Sequence, residues 1–281
     1  SSVNCANILG IFPTPSISHQ VVFHALMKDL ATRGHHLTIL TPDLIKIKNP
    51  NVTQIDLHDS YEIFRRKFNF VEHKEKKNTE HDLLQMFYEV QIEFHDSQLT
   101  KPEVHKLITD SQKYKFDLVI FEHLNYLPYL AFAEIYNCPV IGMTSLDTMQ
   151  VVHEWIGNEV NPAIHSEFFF PYNHGKMTFT ERWNSLIYYL RVKFFTEPNQ
   201  IKKFNEVIKK YFPTVKTPIM KLRDRIQLLM INTDPSMGFI RPIVQNVVQL
   251  GFMHIEPPKP LQDGKLKNFL DNSKNGVIYM S

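Results

Sequence analysis

The sequence predicts an α/β fold, a Rossmann-like parallel sheet with helices on both faces. Residues 8–12 are an apolar run without polar alternation, which is typical of strands covered on both sides, and residues 116–122 are interpreted as another continuous buried strand. Between the first run and a second at 37–40, apolar residues recur at helical spacing. Strand, helix and strand in this order predict a right-handed βαβ crossover that opens the sheet.

The first crossover has clear boundaries in the sequence. Pro13 and Pro15 end the first strand, because proline cannot donate to a β-ladder. Ser18 is predicted to be the N-cap of the helix, which then runs from His19. Gly34 is predicted to end the helix in the left-handed conformation that glycine adopts easily. The apolar stripe of this helix comprises Val22, Phe23, Leu26, Met27 and Leu30.

Three further short apolar runs, at residues 139–144, 228–232 and 247–251, predict strands, and residues 53–56 are a candidate for another short strand. A helix is expected near residues 128–136. Two long segments interrupt the sheet. In the first, residues 57–115, the charged stretch 60–82 is interpreted as an irregular, mobile and solvated surface, and helices are expected over 81–99 and 102–112.

The second interruption, residues 145–222, begins with a predicted loop over 145–164. Helices are expected over 180–195, with a Thr-Glu cap, and over 200–212. The apolar face of the first of these helices is expected to pack on the domain, and it comprises Trp183, Leu186, Ile187 and Leu190. The alternative is that such residues cover a pocket for hydrophobic molecules or touch a membrane surface.

Composition excludes several classes of protein. A net charge of +2 with scattered basic residues gives no electrostatic case for nucleic-acid binding. Two cysteines make neither a disulfide framework nor a metal site; Cys138 is predicted to be a buried free thiol, with a single bridge to Cys5 left open. A start at SSVNCAN, without Met or a signal peptide, is what we would expect of a processed secretory protein, and the sequon at Asn51 permits a lumenal location.

His19 and Glu122 are the candidate catalytic residues. His19 follows the first strand and Glu122 ends the strand at 116–122, so both lie at the carboxyl edge of the sheet, where ligands bind in open α/β folds. A neutral imidazole that faces a cleft can take a proton from a hydroxyl group. The alternative for His19 is a histidine that only closes a helix terminus. Asp147, after the strand at 139–144, is the rival carboxylate.

Both ends of the chain carry motifs of a known family. FPTPSISH and HALMKDLATRGHHLTILTP, at residues 12–19 and 24–42, resemble the opening of the UDP-glycosyltransferase family, in particular its insect branch. Residues 228–261 resemble the segment that leads out of its first domain, and the final NGVIYMS resembles the first strand of its second domain. The strand FDLVIFE matches the one that ends in the acidic partner of the catalytic histidine; many members carry Asp there, and this chain carries Glu122.

The resemblance implies the N-terminal half of a GT-B enzyme. The implied reaction is inverting transfer of a hexose, with glucose favoured, from a UDP-sugar to a hydroxyl of a small lipophilic acceptor, in detoxification-type conjugation. His19 is then the base and Glu122 its partner, with no metal and no tightly bound cofactor. The residues expected to bind the acceptor are Pro15, Ser16, Ser18, Leu124, Ser145 and Leu146.

The Pro-rich residues 256–260 predict a stiff linker. Residues 1–260 are therefore expected to form the acceptor-binding domain, and residues 261–281 a linker and the first strand, at 276–280, of a truncated C-terminal domain that binds the UDP-sugar. The chain alone is expected to be inactive. The full-length protein is expected in the lumen of the endoplasmic reticulum, anchored in the membrane by a C-terminal segment, and a homo-oligomer is allowed.

Two other functions are considered. Nucleotide-cofactor chemistry is disfavoured because the first strand–helix loop, FPTPSIS, has no glycine that lets a backbone approach a pyrophosphate. A noncatalytic domain that binds hydrophobic small molecules fits a chain without a donor half. The presence of both His19 and Glu122 argues against it.

Overall fold

The computed structural model describes residues 5–67, 79–170, 172, 176–236 and 240–280. Seven parallel strands form one sheet in the order β3-β2-β1-β4-β5-β6-β7, which confirms the predicted α/β class. The strands are β1 Asn7–Ile11, β2 His36–Thr41, β3 Val52–Asp56, β4 Leu118–Glu122, β5 Val140–Thr144, β6 Ile226–Ile231 and β7 Val247–Gln249. The order reverses between β1 and β4, so these neighbours flank the switch point of the sheet.

Helices cover both faces of the sheet. They are α1 Ile17–Thr32, α2 Ser60–Lys67, α3 Glu80–Leu99, α4 Pro102–Thr109, α5 Ala131–Ile135, α6 Gln150–Ile156, α7 Phe179–Arg191, α8 Glu197–Tyr211, α9 Ile219–Arg223 and α10 Lys265–Asn272. Successive strand side chains alternate between the faces: Ile8 packs with α1, whereas Leu9 packs in the core that contains α3 and α4. The π-helical turn Val192–Thr196 joins α7 to α8.

The first helix begins two residues earlier than its sequence predicts. Ser16, with extended dihedrals, occupies the N-cap position of α1, and its carbonyl accepts the first intrahelical bonds from His19 and Gln20. Ser18 already lies inside the helix, with its hydroxyl 3.0 Å from that of Ser16. The prediction of Ser18 as N-cap is therefore wrong, because the chain turns directly after Pro15.

The two interruptions of the sheet contain more helix than their sequences predict. Helix α2 occupies part of the stretch expected to be irregular, and α6 occupies part of the predicted loop 145–164. Residues 68–78 of the charged stretch lie outside the described residues. In both cases tertiary contacts stabilise a helix that the local sequence does not predict. Helix α2 packs on α3, and Val151 and Val152 of α6 belong to a buried cluster.

Helix α7 buries a different face from the predicted one. Its cap is Thr178, in a capping box with Glu181, rather than Thr180. Trp183 and Ile187 are 54% and 45% exposed, so their predicted packing role is wrong. The buried positions are Ser185, Tyr188 and Tyr189, because the tyrosine rings pack in the cluster that holds Phe170 and Tyr88.

The C-terminal segment lies apart from the sheet. Helix α10 has no buried residue, and residues 276–280 are exposed and form no strand. The strand expected there is absent because a strand needs a hydrogen-bonded neighbour, and within the described ranges this segment has none. The assignment of residues 261–281 to a second domain stays a prediction. No helix of the described residues is long and apolar enough to cross a bilayer. Cys138 is a buried free thiol, as expected.

Phe23 should be a major contributor to stability. Its ring is fully buried and stacks on Phe12, with centroids 4.5 Å apart, between β1 and α1. Phe23→Ala should lower the free energy of unfolding by about 3–5 kcal/mol, the cost of truncating a buried phenylalanine. Phe195→Ala, at a side chain 68% exposed, is the matched control and should change it by less than about 0.5 kcal/mol. Urea unfolding measures both; equal losses would contradict the packing described.

Glu167 should make stability fall as pH rises. The side chain is 1% exposed, and burial raises the pKa of its carboxyl to about 8, against a smaller opposing effect of the bond from the Gln150 amide. Between the ordinary glutamate pKa of 4.5 and about 8, the folded chain holds a proton that the unfolded chain has lost. In that window the free energy of unfolding decreases with pH.

Glu167→Gln tests this dependence, because glutamine keeps a carbonyl oxygen for the Gln150 amide and cannot ionise. The variant should match the native chain near the lower end of the window. Its advantage in urea unfolding should then grow with pH by about 1.4 kcal/mol per unit, levelling off above pH ~8. Identical pH profiles for the two proteins would show that Glu167 titrates normally.

Candidate active site

The candidate site lies at the switch point of the sheet. β1 and β4 are neighbours in parallel register, so their carboxyl ends meet at the same edge. The loop after β1 leads into α1 and places His19 in its first turn, while Glu122 is the last residue of β4. His19 Nδ1 lies 2.9 Å from Glu122 Oε1. The two residues predicted to act together are therefore in contact.

The pair has a defined orientation. A carboxylate in its ionised form only accepts hydrogen bonds, so beside it a neutral His19 carries its proton on Nδ1 and keeps the lone pair on Nε2. Glu122 is fully buried, whereas the side chain of His19 is 17% exposed. None of the described residues makes a hydrogen bond to Nε2. The basic nitrogen is thus the one that a ligand at this edge can approach.

Glu122 is bound at both of its oxygens. Oε1 meets His19, and Oε2 accepts a hydrogen bond from the backbone N–H of Thr14 at 3.1 Å. The glutamate in place of the family's usual aspartate still reaches the imidazole, as the sequence allows. It also ties the loop after β1 to the end of β4.

The residues predicted to bind the acceptor lie around this pair. Pro15 and Ser16 are in the loop after β1, and Ser18 is exposed in the first turn of α1. Leu124 follows β4, and its side chain is partly buried. Ser145 and Leu146 follow β5, the strand beside β4, and are also partly buried. The fold therefore brings all six to one edge, and their role in binding stays a prediction.

Asp147, the rival carboxylate, belongs to a different pair. Its Oδ1 lies 3.1 Å from Nε2 of His153, and Oδ2 lies 3.7 Å from the guanidinium of Arg241. Burial opposes ionisation of Asp147, but the His153 hydrogen bond and the Arg241 charge hold its pKa below the usual value on balance. Burial lowers the pKa of His153, whose side chain is only 2% exposed.

The second histidine–carboxylate pair is closed to ligands. Nδ1 of His153 is 2.8 Å from the amide nitrogen of Asn158, whose oxygen accepts from the Val244 N–H at 2.9 Å. Both ring nitrogens of His153 are therefore occupied, and the network ties α6 to the segment before β7. This pair is structural.

A groove of about 880 Å³ lies elsewhere, between α3 and the segment from the end of α7 into α8. Its walls include His81, Glu89, Arg191, Lys202 and Lys203. None of the predicted catalytic or acceptor residues lines it.

The sequence did not predict the residues that hold the loop after β1 and Glu122 in place. Gln20 and Gln98 are buried glutamines that contact the loop after β1, and Thr14 supplies its amide to Glu122. A signal was present for Gln20, a large polar residue beside His19 within the apolar stripe of α1. Gln98 is four helix residues from Phe94 on the predicted apolar spacing, which also marked a buried position.

Relatives among characterised proteins match nearly the whole chain. The ecdysteroid UDP-glucosyltransferase of Mamestra brassicae nuclear polyhedrosis virus is 28% identical over 99% of this chain and 54% of its own length. UDP-glucosyltransferase 2 of Dactylopius coccus is 27% identical over 100% of this chain and 54% of its own. The chain therefore spans about half the length of these relatives.

Among solved structures, CalG4, the calicheamicin glycosyltransferase, is 15% identical with a TM-score of 0.47, over 89% of this chain and 53% of that one. UGT2 of Phytolacca americana, complexed with UDP-2fluoro-glucose and pterostilbene, is 12% identical with a TM-score of 0.44, over 95% and 57%. The family model described as UDP-glucoronosyl and UDP-glucosyl transferase matches residues 8–281. With the match extending over almost every residue, the chain belongs to the UDP-glucuronosyl and UDP-glucosyl transferase family.

Proposed function

We propose that this chain supplies the acceptor site and the catalytic base for transfer of a hexose from a UDP-sugar to a hydroxyl of a small lipophilic acceptor. One observation carries the proposal. At the switch point of the sheet, Nε2 of His19 has no hydrogen-bond partner among the described residues, and a buried carboxylate lies 2.9 Å from its Nδ1. A base of this kind suits removal of a proton from an acceptor hydroxyl.

In the proposed reaction, Nε2 of His19 takes the hydroxyl proton as the acceptor oxygen attacks the anomeric carbon. The bond from that carbon to the diphosphate breaks, UDP leaves with the electron pair, and the configuration at the carbon inverts. Glu122 stabilises the imidazolium that forms and keeps the ring in the productive tautomer. The donor would bind chiefly to a second half, since relatives are about twice as long as this chain.

The names of the relatives support the choice of donor and acceptor class. Several are UDP-glucosyltransferases, which favours glucose as the sugar. The viral relatives are named for ecdysteroids, which are hydroxylated and lipophilic. We extend this class, not the individual substrate, to the present chain, in a role of detoxification-type conjugation. The chain alone is proposed to be inactive.

A lumenal location of a membrane-anchored, full-length enzyme is part of the proposal. The sequon residue Asn51 lies in the turn before β3, at the amino edge of the parallel sheet. His19 and Glu122 lie at the carboxyl edge. A glycan on Asn51 would therefore leave the candidate site open.

Removal of the base tests the proposal. In a transferase that joins this chain to a UDP-sugar-binding half, His19→Ala should lower kcat by about 10²–10⁴-fold, the usual contribution of a general base. The matched control is His153→Ala, at the closed histidine–carboxylate pair, which should lower thermal stability and leave kcat per folded molecule near the native value. Steady-state transfer of glucose to a phenolic or steroidal acceptor measures both.

The contrary outcome is equally specific. If His19→Ala keeps native kcat, His19 is not the base. If the native transferase itself transfers no glucose while the chain still binds hydrophobic molecules, the domain is a noncatalytic binding half.

A further inference from the structure

The backbone of the loop after β1 is buried, including its carbonyl groups. Phe12, Pro13 and Thr14 are all buried, and the two prolines at 13 and 15 remove backbone donors from this stretch. Buried carbonyl oxygens need partners, since leaving one unbonded costs the full desolvation of the group. The Thr14 carbonyl accepts from the Ser16 N–H at 2.9 Å, whereas no backbone N–H of the described residues donates to the carbonyls of Phe12 and Pro13.

Two buried glutamines donate to all three of these carbonyls. Gln20, 1% exposed in α1, places its Nε2 3.0 Å from the carbonyl oxygen of Phe12 and 2.8 Å from that of Thr14. Gln98, fully buried near the end of α3, places its Nε2 3.0 Å from the carbonyl oxygen of Pro13. Three successive carbonyls of one loop therefore accept from the side-chain amides of two helices.

The surroundings fix the orientation of both amides. A flipped Gln20 would set its oxygen against two carbonyl oxygens, and its present oxygen accepts from the hydroxyl of Thr41 at 2.9 Å. In Gln98, Nε2 also lies 2.8 Å from the Ser60 hydroxyl, and Oε1 accepts from the Tyr129 hydroxyl. Each glutamine is thus satisfied and locked by partners that do not belong to the loop.

The loop that the glutamines bind also binds Glu122. The Thr14 N–H donates to Glu122 Oε2, and the Thr14 carbonyl accepts from Nε2 of Gln20. The Thr14 hydroxyl lies 3.1 Å from that of Tyr126, which fixes this residue from a third side. A shift of Thr14 would therefore move the carboxylate that orients His19.

We propose that Gln20 and Gln98 are positioning residues for the His19–Glu122 pair. Their side-chain amides fix the position of the 12–14 loop relative to the end of β4. In this position the Thr14 N–H donates to one oxygen of Glu122 and leaves the other oxygen for His19. This inference rests on the proposed function of the pair as base and orienting acid. Neither glutamine touches His19 or Glu122 in the described hydrogen-bond network, so both act through the loop.

Helix α3 braces the loops on both sides of the pair. Gln91, two helical turns before Gln98 and on the same face, donates to the carbonyl of Leu124 in the loop after β4. Gln98 donates to the loop after β1. One helix of the inserted segment thereby contacts the loop beside His19 and the loop beside Glu122, which makes the geometry of the pair dependent on a segment outside the sheet.

The test reads the tautomer of His19 in this 281-residue chain. With ¹⁵N-labelled histidine at alkaline pH, the native ring should be protonated at Nδ1, because Glu122 accepts there. The His19 signal is assigned by its loss in His19→Gln. Gln20→Met and Gln98→Met remove the amides at similar volume. Each should give a mixture of the two tautomers and exchange of the Thr14 amide hydrogen faster by about tenfold.

Gln150→Met is the matched control. Gln150 is also a buried glutamine and donates to a backbone carbonyl, that of His165 at 2.6 Å, outside the 12–14 loop. The Gln150→Met variant should be less stable than the native chain. It should keep the Nδ1 tautomer of His19 and the slow exchange of the Thr14 amide hydrogen. Gln20→Asn, with an amide one methylene short of the carbonyls, gives a milder variant that should change both readouts in the same direction.

The outcomes separate the two claims. If Gln20→Met and Gln98→Met lose stability as Gln150→Met does and keep the native tautomer and exchange, the glutamines are only structural and the inference is wrong. Glu122→Leu tests the pair itself: it should abolish the Nδ1 preference of His19. An unchanged tautomer in that variant would overturn the pair, and with it the proposed function.

Discussion

The geometry of the candidate site depends on one carboxylate held at both oxygens. Glu122 ends a buried parallel strand and meets His19 through Oε1 and the Thr14 amide through Oε2. The reversal of strand order between β1 and β4 makes this possible, because it sets the loop after one strand over the end of the other. A fully buried carboxylate needs such partners, since an unpaired charge without water is strongly disfavoured.

Two histidine–carboxylate pairs, His19 with Glu122 and His153 with Asp147, lie at the carboxyl edge of the sheet. Comparing them shows what distinguishes a reactive pair from a structural one. The distances are alike, 2.9 Å for His19 with Glu122 and 3.1 Å for His153 with Asp147. The difference lies in the other ring nitrogen. In His153 it is occupied by Asn158, and the ring is closed from solvent, whereas His19 keeps Nε2 without a described partner and stays partly exposed.

The spacing of apolar residues and the order of the strands along the chain predicted much of this arrangement. Which side chains are buried in the helices between the strands depends on tertiary packing. Continuous apolar runs identified the strands, and their parallel order placed His19 and Glu122 at one edge. The buried face of α7 was mispredicted because two faces of this helix, one that begins at Trp183 and one that begins at Ser185, follow the same helical spacing. Only packing shows that the second face, which carries Tyr188, is the buried one. Helical spacing marks Gln20 and Gln98 as buried, but it does not reveal their role, because their partners are backbone carbonyls, which carry no residue-specific signal in a sequence.

The most direct measurement follows the ring resonances of His19 in this chain during three titrations. The ligands are a lipophilic phenol, its O-methyl ether and UDP-glucose. A base for the acceptor hydroxyl should respond saturably to the phenol, less to the ether, which has no proton to share, and not to the nucleotide sugar. A saturable response to UDP-glucose, with none to the phenol, would contradict the assignment of this half to the acceptor and of His19 to the base.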